Sequence, residues 1–380
     1  MKRSQLTATA LMLAAASFPL QAQSPVQVRA AGFYENYSFE TGTGALQLES
    51  ISELAVPVGI DIDFGRIGDL TVSTGYANVQ LKSKNVSVLD DQTVSGILDT
   101  EARLSLNVIP SRLMVLLSGA APTGIKTVTE DELAVLGALS SDVIGFSAPQ
   151  LGSGGNVGGG FAGAIPAGQF AIGLGGTFRL PLEYVPVAGR DDELKPGQEF
   201  RFRAGLEGPV ARRSYIRIAG IFAMRSKDEL NSALQNGVGN RIVGYASLNQ
   251  GAGSSTLILY GFFVFRSAPQ IEPTAAGAAV LPRGLLATGG VRWTFPLGPG
   301  MTLGPRAEFR KSRTANSDTD DALRNAGQSI RVGVDFRRQL SRQLAIVLQA
   351  GGATGNVADP NRTMVDFSGY RFALHTEITP

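Results

Sequence analysis

Hydrophobic and polar residues alternate along much of this chain with a period of two. Within residues 329–352, apolar side chains such as Ile330 and Val332 stand at even positions, and Arg331 and Asp335 stand between them. Successive side chains of a β-strand point to opposite faces of the sheet. This period therefore predicts strands with one apolar and one polar face.

About sixteen segments of this kind follow one another, joined by connectors of alternating length. The predicted strands are 27–39, 47–63, 68–82, 94–108, 112–124, 155–165, 169–183, 198–208, 213–226, 240–249, 255–266, 283–295, 301–313, 327–339, 343–353 and 364–378. The long connectors are 83–93, 125–154, 184–197, 227–239, 267–282, 314–326 and 354–363. Short turns at one end and long loops at the other are typical of a barrel that crosses a membrane.

The N-terminus predicts a secretory signal peptide over residues 1–22. Lys2 and Arg3 precede the apolar stretch LTATALMLAAASFPL, and a small residue, Ala22, ends the segment. Basic start, apolar middle and small-residue end are the parts of an export signal, with a buried N-terminal helix as the alternative. Residues 23–380 are then expected to form a single transmembrane β-barrel domain.

Composition narrows the class further. The chain has 43% hydrophobic and 17% charged residues, no cysteine, and 34 basic against 32 acidic residues. Removal of the signal peptide takes away two of the basic residues, so the remaining charge is balanced and a nucleic acid partner is not expected. No internal apolar run approaches the ~20 residues of a spanning helix, and a cysteine-free exported chain is not a disulfide scaffold.

The fold class expected from these patterns is all-β: a transmembrane antiparallel up-and-down barrel of about 16 strands, with 14 to 18 compatible with the pattern. A secreted β-sandwich or propeller is the alternative. Lipid cannot satisfy backbone groups, so the strands must close on themselves. Apolar positions such as Ile330 then face lipid, and Arg331, Asp335 and Arg337 face the interior. The expected location is the outer membrane of a Gram-negative cell, among its lipid and lipopolysaccharide.

The last strand contains Phe367, Gly369, Phe372 and Leu374 in an aromatic-x-Gly-x-x-apolar-x-apolar arrangement. This resembles the C-terminal β-signal of outer-membrane proteins, and the resemblance implies recognition by the barrel assembly machinery. Bacterial barrels commonly finish on an aromatic residue. This chain instead continues to Pro380, which leaves the end of the last strand open.

Connector 125–154 is the longest and ranks as the third external loop. Thr129 and Glu132 fit a capping box, which predicts a short helix over 133–139. The loop resembles the third external loop of general porins, which folds into the barrel and presents acids opposite arginines. That resemblance implies a constriction by Glu130, Asp131 and Glu132; a helix lying over the rim is the alternative. The bare inner face predicted at Gly158 and Gly160 would leave room for a segment inside.

Charged residues of the predicted inner face are sorted along the chain. The pore-lining acids expected from early strands are Glu53, Asp61, Asp63, Asp99 and Glu101. The pore-lining arginines expected from later strands are Arg201, Arg203, Arg217, Arg225, Arg292, Arg306, Arg310, Arg331 and Arg337, and Arg371 follows in the last strand. Opposed walls of fixed charge would create a transverse field that sets ion preference. Cross-strand pairing in a filled interior is the alternative.

The favoured function is passive diffusion of small hydrophilic solutes through this charged pore. A transporter of fatty-acid or aromatic-hydrocarbon type is the first alternative, supported by the apolar inner face of Ile258, Tyr260, Phe262 and Val264 but lacking an N-terminal plug. A barrel enzyme would have to use His375, the one histidine; a structural or adhesive barrel is the last alternative. No catalytic residue, cofactor or metal is expected. The oligomeric state stays open, a homotrimer included.

Overall fold

The computed structural model describes residues 26–40, 48–84, 90–275, 281–317, 320, 322–341, 343–359 and 362–378. The predicted signal peptide and its cleavage point at Ala22 lie outside these residues and stay predictions. The description below refers to the described residues throughout.

The chain forms a closed antiparallel barrel of sixteen wall strands, as the alternation predicts. Its strands are β1 (Val26–Phe39), β2 (Leu48–Asp63), β3 (Gly68–Ser83), β4 (Gln92–Ile97), β5 (Thr100–Ile109), β6 (Leu113–Ala121), β7 (Asn156–Ala167), β8 (Phe170–Pro181), β9 (Leu194–Lys195), β10 (Glu199–Ala211), β11 (Ser214–Arg225), β12 (Glu229–Leu230), β13 (Ala233–Leu234), β14 (Arg241–Ala252), β15 (Ser255–Arg266), β16 (Gly284–Gly298), β17 (Met301–Thr314), β18 (Arg324–Gln339), β19 (Leu344–Ala358) and β20 (Met364–Ile378). One helix, α1 (Leu133–Leu139), lies where the capping box predicts it.

Pairing of the first and last strands closes the wall. Strand β1 pairs with β20 from Ala30–Thr376 to Phe39–Phe367 and with β2 on its other side. Strands β4 and β5 both pair with β3 and together make one interrupted wall strand. The short strands β9, β12 and β13 form a separate small sheet in the loops.

The outer surface is apolar, as the period-two pattern requires. On β7, Val157, Phe161 and Ile165 are 51%, 54% and 58% exposed. On β18, Ile330 and Val332 are exposed, and the residues between them point inward. Such a surface is stable only against lipid, and closed barrels with this outer band belong to the bacterial outer membrane. The chain is thus an outer-membrane β-barrel. None of the described helices has the length and apolar character needed to span a membrane.

The two ends of the barrel differ in their connections. Short turns close one end, and the glycines Gly168 and Gly300 adopt φ values of +64° and +69° there, which glycine adopts without strain. The other end carries the long loops, of which the longest, residues 122–155, joins β6 to β7. We call this segment the inward loop, because part of it folds into the barrel.

The inward loop makes an apolar core inside the barrel. Val135 and Leu139 of α1, together with Phe146, pack against the inner faces of β1–β4 and β20. The ring of Phe146 meets Tyr37 edge-on, with centroids 5.3 Å apart. Phe367 of the C-terminal motif also belongs to this core. This side of the interior is filled by the chain itself.

The inner face of β7 was expected to leave room for such a segment, and the structure places the loop elsewhere. Gly158 and Gly160 lie against the backbone of β8, where a Cβ at Gly158 would collide with the carbonyl oxygen of Phe178. Close approach of two strands therefore accounts for these glycines.

Candidate pore and constriction

Two buried carboxylates hold the inward loop against the wall. Glu35 and Glu53 face each other across β1 and β2, and both are 0% exposed. The Ser147 N–H donates to Glu35 Oε1 at 2.8 Å and to Glu53 Oε2 at 3.1 Å. The Ala148 N–H donates to Glu53 Oε1 at 3.1 Å. Arg371 lies 3.4 Å from Glu35 and donates to the Ser147 hydroxyl, so the acids have a cation beside them.

The same segment presents its carbonyl groups to β18. The hydroxyl of Ser329 donates to the carbonyl oxygen of Val143 at 3.0 Å, and Arg331 Nη2 donates to that of Gly145 at 3.5 Å. Peptide N–H groups thus meet carboxylates and peptide C=O groups meet donors. These contacts satisfy backbone groups of a loop that lies inside the barrel, as buried polar groups require.

A third acid joins the two ends of the loop. Asp99 lies in the interruption between β4 and β5, and its carboxylate accepts from Gly124 N–H at 2.9 Å. It also accepts from the N–H and the hydroxyl of Ser153, both at 2.7 Å. Asp99 was predicted to line the pore; the structure engages it with the loop stems.

The acidic turn of the loop is exposed. Glu132 and Thr129 make the reciprocal capping-box contacts, with Thr129 N–H donating to Glu132 at 2.8 Å. Glu130 pairs with Arg190 of a neighbouring external loop, and its hydrogen bond and charge raise the pKa of that guanidinium. The residues in contact with the wall include Val135 and Leu139 of α1 and residues 143–148. Constriction by Glu130, Asp131 and Glu132 stays a prediction that this placement does not favour.

A cavity of about 710 Å³ lies on the side of the barrel that the loop leaves open. We call it the vestibule. On β2, β3 and β5 it is lined by acids: Asp61, Asp63, Asp69 and Glu101. On β8 and β10 it is lined mainly by arginines: Arg179, Arg201 and Arg203. Five of the predicted pore residues therefore line one cavity: Asp61, Asp63, Glu101, Arg201 and Arg203. Arg29, Arg103 and Glu199 break the sorting by sign.

The vestibule meets a second cavity of about 390 Å³ on the loop side. Arg179 and Glu199, partners in the β8–β10 register, line both cavities, and Arg225 lines the second. Glu199 also pairs with Arg201. The two cavities thus share a boundary of charged side chains beside the loop. We call Arg179, Glu199, Arg201 and Arg225 the junction.

Most remaining predicted residues form ion pairs on the inner wall. Arg217 Nε lies 2.7 Å from Glu207, and Arg310 Nε lies 2.7 Å from Glu308. Asp335 lies 3.0 Å from Arg292 and 3.7 Å from Arg306. Arg337 follows Asp335 by two residues on the same face of β18. The interior therefore combines paired charges with open space.

Sequence reasoning missed Glu35, Arg179 and Glu199. Strand alternation could have placed all three on the inner face, because each has the parity of an inward neighbour: Tyr37, Thr177 and Arg201. Parity alone does not say which inward residue meets the loop or a second cavity.

No family model matches the chain, and no curated protein matches it. Among solved structures it is similar to a bacterial polysaccharide outer membrane secretin (9% identity, TM-score 0.47, 92% of this chain and 98% of that chain). It is also similar to Pseudomonas aeruginosa OccK7 (OpdD) (11%, 0.45, 93% and 99%) and Pseudomonas aeruginosa OpdQ (12%, 0.43, 92% and 98%). At these identities and TM-scores, the similarities carry no argument about what this chain binds or transports.

Proposed function

We propose that this porin-like outer-membrane barrel is a channel for passive diffusion of small hydrophilic solutes, narrowed by the inward loop. The observation that carries the proposal is the open vestibule, which meets a second cavity at the junction beside the loop. A sixteen-strand wall encloses more width than its own side chains fill. The loop fills one side, and the solute path follows the other.

Charge in the vestibule supports a polar solute. Acids on β2, β3 and β5 line the vestibule together with arginines on β8 and β10. Fixed charges of opposite sign near low-dielectric walls orient polar solutes and disfavour apolar ones. The apolar inner surface of β1–β4 and β20 is covered by α1 and Phe146 and is therefore not offered to an apolar ligand. On β15, whose inner face was the argument for a hydrophobic-compound transporter, the Tyr260 hydroxyl is engaged by Glu308. We also propose that the protein acts as a channel and not as an enzyme.

Conductance in planar bilayers tests the proposal. Purified, folded protein should give discrete, ohmic single-channel steps. A folded preparation with no steps would refute a diffusion channel and favour a structural or enzymatic barrel.

Charge reversal tests the path. Arg201→Glu with Arg203→Glu should shift the zero-current potential in a salt gradient toward cation preference, because both side chains line the vestibule. Arg338→Gln is the matched control, since Arg338 is exposed on the outer face of β18 at the turn end. An unchanged potential in the double variant, with conductance retained, would remove these arginines from the path.

A further inference from the structure

A small cavity behind the inward loop is dominated by arginine. Its volume is about 100 Å³, and it lies against β15 and β17–β20. Its charged lining consists of Arg306, Arg310, Arg331, Arg371 and Glu308. Four cations thus surround it with one carboxylate. We call it the arginine cavity.

Three of the four arginines have carboxylate partners. Arg310 pairs with Glu308. Arg306 pairs with Asp335 at 3.7 Å, and Arg371 pairs with Glu35 at 3.4 Å; neither of these carboxylates lines the cavity. Each of these three arginines therefore has a carboxylate in contact, and Asp335 is shared with Arg292 at 3.0 Å.

Arg331 is different from the other three. Its contact with the loop is the carbonyl oxygen of Gly145 at 3.5 Å, and no ion pair within 4.0 Å joins it to a carboxylate of the described residues; Glu308 and Glu35 attract it from a longer distance. Its Nε, like that of Arg371, is buried and has no hydrogen-bond partner in the described part of the chain. A guanidinium keeps its charge at all accessible pH values, so it cannot become neutral to avoid the cost of burial. A buried donor without a hydrogen-bond acceptor is unfavourable.

None of the hydrogen bonds among the described residues joins Arg331 to Tyr37, Tyr260 or Tyr370, the tyrosines that line the cavity. The Tyr260 hydroxyl donates to Glu308 at 2.9 Å, and the Tyr37 hydroxyl donates to Glu35 at 2.9 Å. The groups that remain available to a guest are cationic N–H donors, Arg331 first among them. The cavity, at about 100 Å³, is also large enough for a small ion, since a single water molecule needs a cavity volume of only about 10–15 Å³.

We propose that the arginine cavity binds one small monovalent inorganic anion of about chloride size, with Arg331 as its principal ligand. Arg331 contributes one positive charge that is in contact with no carboxylate of the described residues, and a monovalent anion would supply the contact. Because Arg331 also contacts the Gly145 carbonyl, the bound anion positions a wall residue that holds the inward loop. The site does not depend on solute passage through the vestibule.

Bromide is the probe, because it replaces chloride and gives an anomalous diffraction signal. Crystals of the full barrel soaked in bromide should show a peak in the cavity within hydrogen-bond distance of Arg331. The peak should be absent in Arg331→Gln and present in Arg203→Gln, the matched control that removes an arginine of the vestibule. No cavity peak in the wild-type protein, or a peak that persists in Arg331→Gln, would overturn the proposal.

Thermal unfolding provides a second measurement that does not require conduction. Replacement of gluconate by bromide at constant ionic strength should raise the Tm of the wild-type protein and of Arg203→Gln, because a ligand of the folded state stabilises it. Arg331→Gln should show no such rise. An equal rise in Arg331→Gln would refute the site. A protein that binds bromide but does not conduct would refute the proposed diffusion channel and would still support the anion site.

Discussion

The attachment of the inward loop depends on Phe146, and Phe146→Ala is the sharpest way to loosen it. The Phe146 side chain is 6% exposed and packs on Tyr37 and the rest of the internal core. The carboxylate contacts to Ser147 and Ala148 use backbone N–H groups, so this substitution leaves their chemistry unchanged. It tests the apolar part of the attachment alone.

The magnitude follows from the burial of the ring. Truncation of a buried phenylalanine to alanine costs about 3–5 kcal/mol in a protein core. In the open loop the ring would be in water, so most of this stabilisation is specific to the inward position. At about 1.4 kcal/mol per tenfold change, a loss of about 3 kcal/mol raises the open population of the loop about a hundredfold.

The assay uses a cysteine at a site that is hidden in the closed loop. The chain has no cysteine, and Val135 in α1 is 0% exposed, so Val135→Cys provides a single reporter thiol. Its reaction with a water-soluble thiol reagent is limited by the population of the open loop. We expect the rate to rise about a hundredfold when Phe146→Ala is added.

Leu133→Ala is the matched control within the same loop. Leu133 is 44% exposed, so its truncation removes little buried surface and should leave the labelling rate nearly unchanged. Equal rates for the wild-type background and Phe146→Ala would refute the reasoning. Equal acceleration by both variants would show that the rate reports general loosening of the chain.

Two further predictions concern acids outside the core contact. Asp99→Ala should accelerate labelling of the same thiol at least tenfold, because three hydrogen bonds to a charged group are lost and even one, at about 1.5–3 kcal/mol, corresponds to a tenfold change. Exposed Asp90→Ala is the control, and an unchanged rate in Asp99→Ala would contradict a role of Asp99 in holding the loop stems. The hydrogen bonds from Thr274, and then Lys227, hold the pKa of Glu272 below its usual value. The contacts of Glu272 therefore stabilise the folded state at pH values above the ordinary pKa of glutamate. This stabilisation is lost as the pH falls through the lowered pKa. An NMR titration should give a higher midpoint for Glu272 in Lys227→Met, and equal midpoints would refute the contact.

The sequence by itself determined the barrel and the face of each strand. Alternation is a local property, so Ile330 and Arg331 were assigned to opposite faces without knowledge of any neighbour. Helix α1 was also predictable, because a capping box involves residues three apart. The spans differ mainly at strand ends: β18 begins at Arg324, before its predicted start, because it continues to pair with β17 beyond the alternating stretch.

Only the tertiary structure decided which inward side chains meet. Glu35 and Glu53 are brought together by the β1–β2 register, and Ser147, more than a hundred residues from Glu35, reaches them by the fold of the inward loop. Constriction by the acidic turn at Glu130 stays a prediction, whereas the structure shows apolar side chains of α1 and Phe146 inside the barrel and pairs Glu130 with Arg190 of an external loop. Burial of an apolar ring is favourable inside the barrel, whereas the carboxylates of the turn remain hydrated outside. Strand period is a property of adjacent residues, but pairing, burial and unpaired charge depend on register and closure, which no local pattern contains.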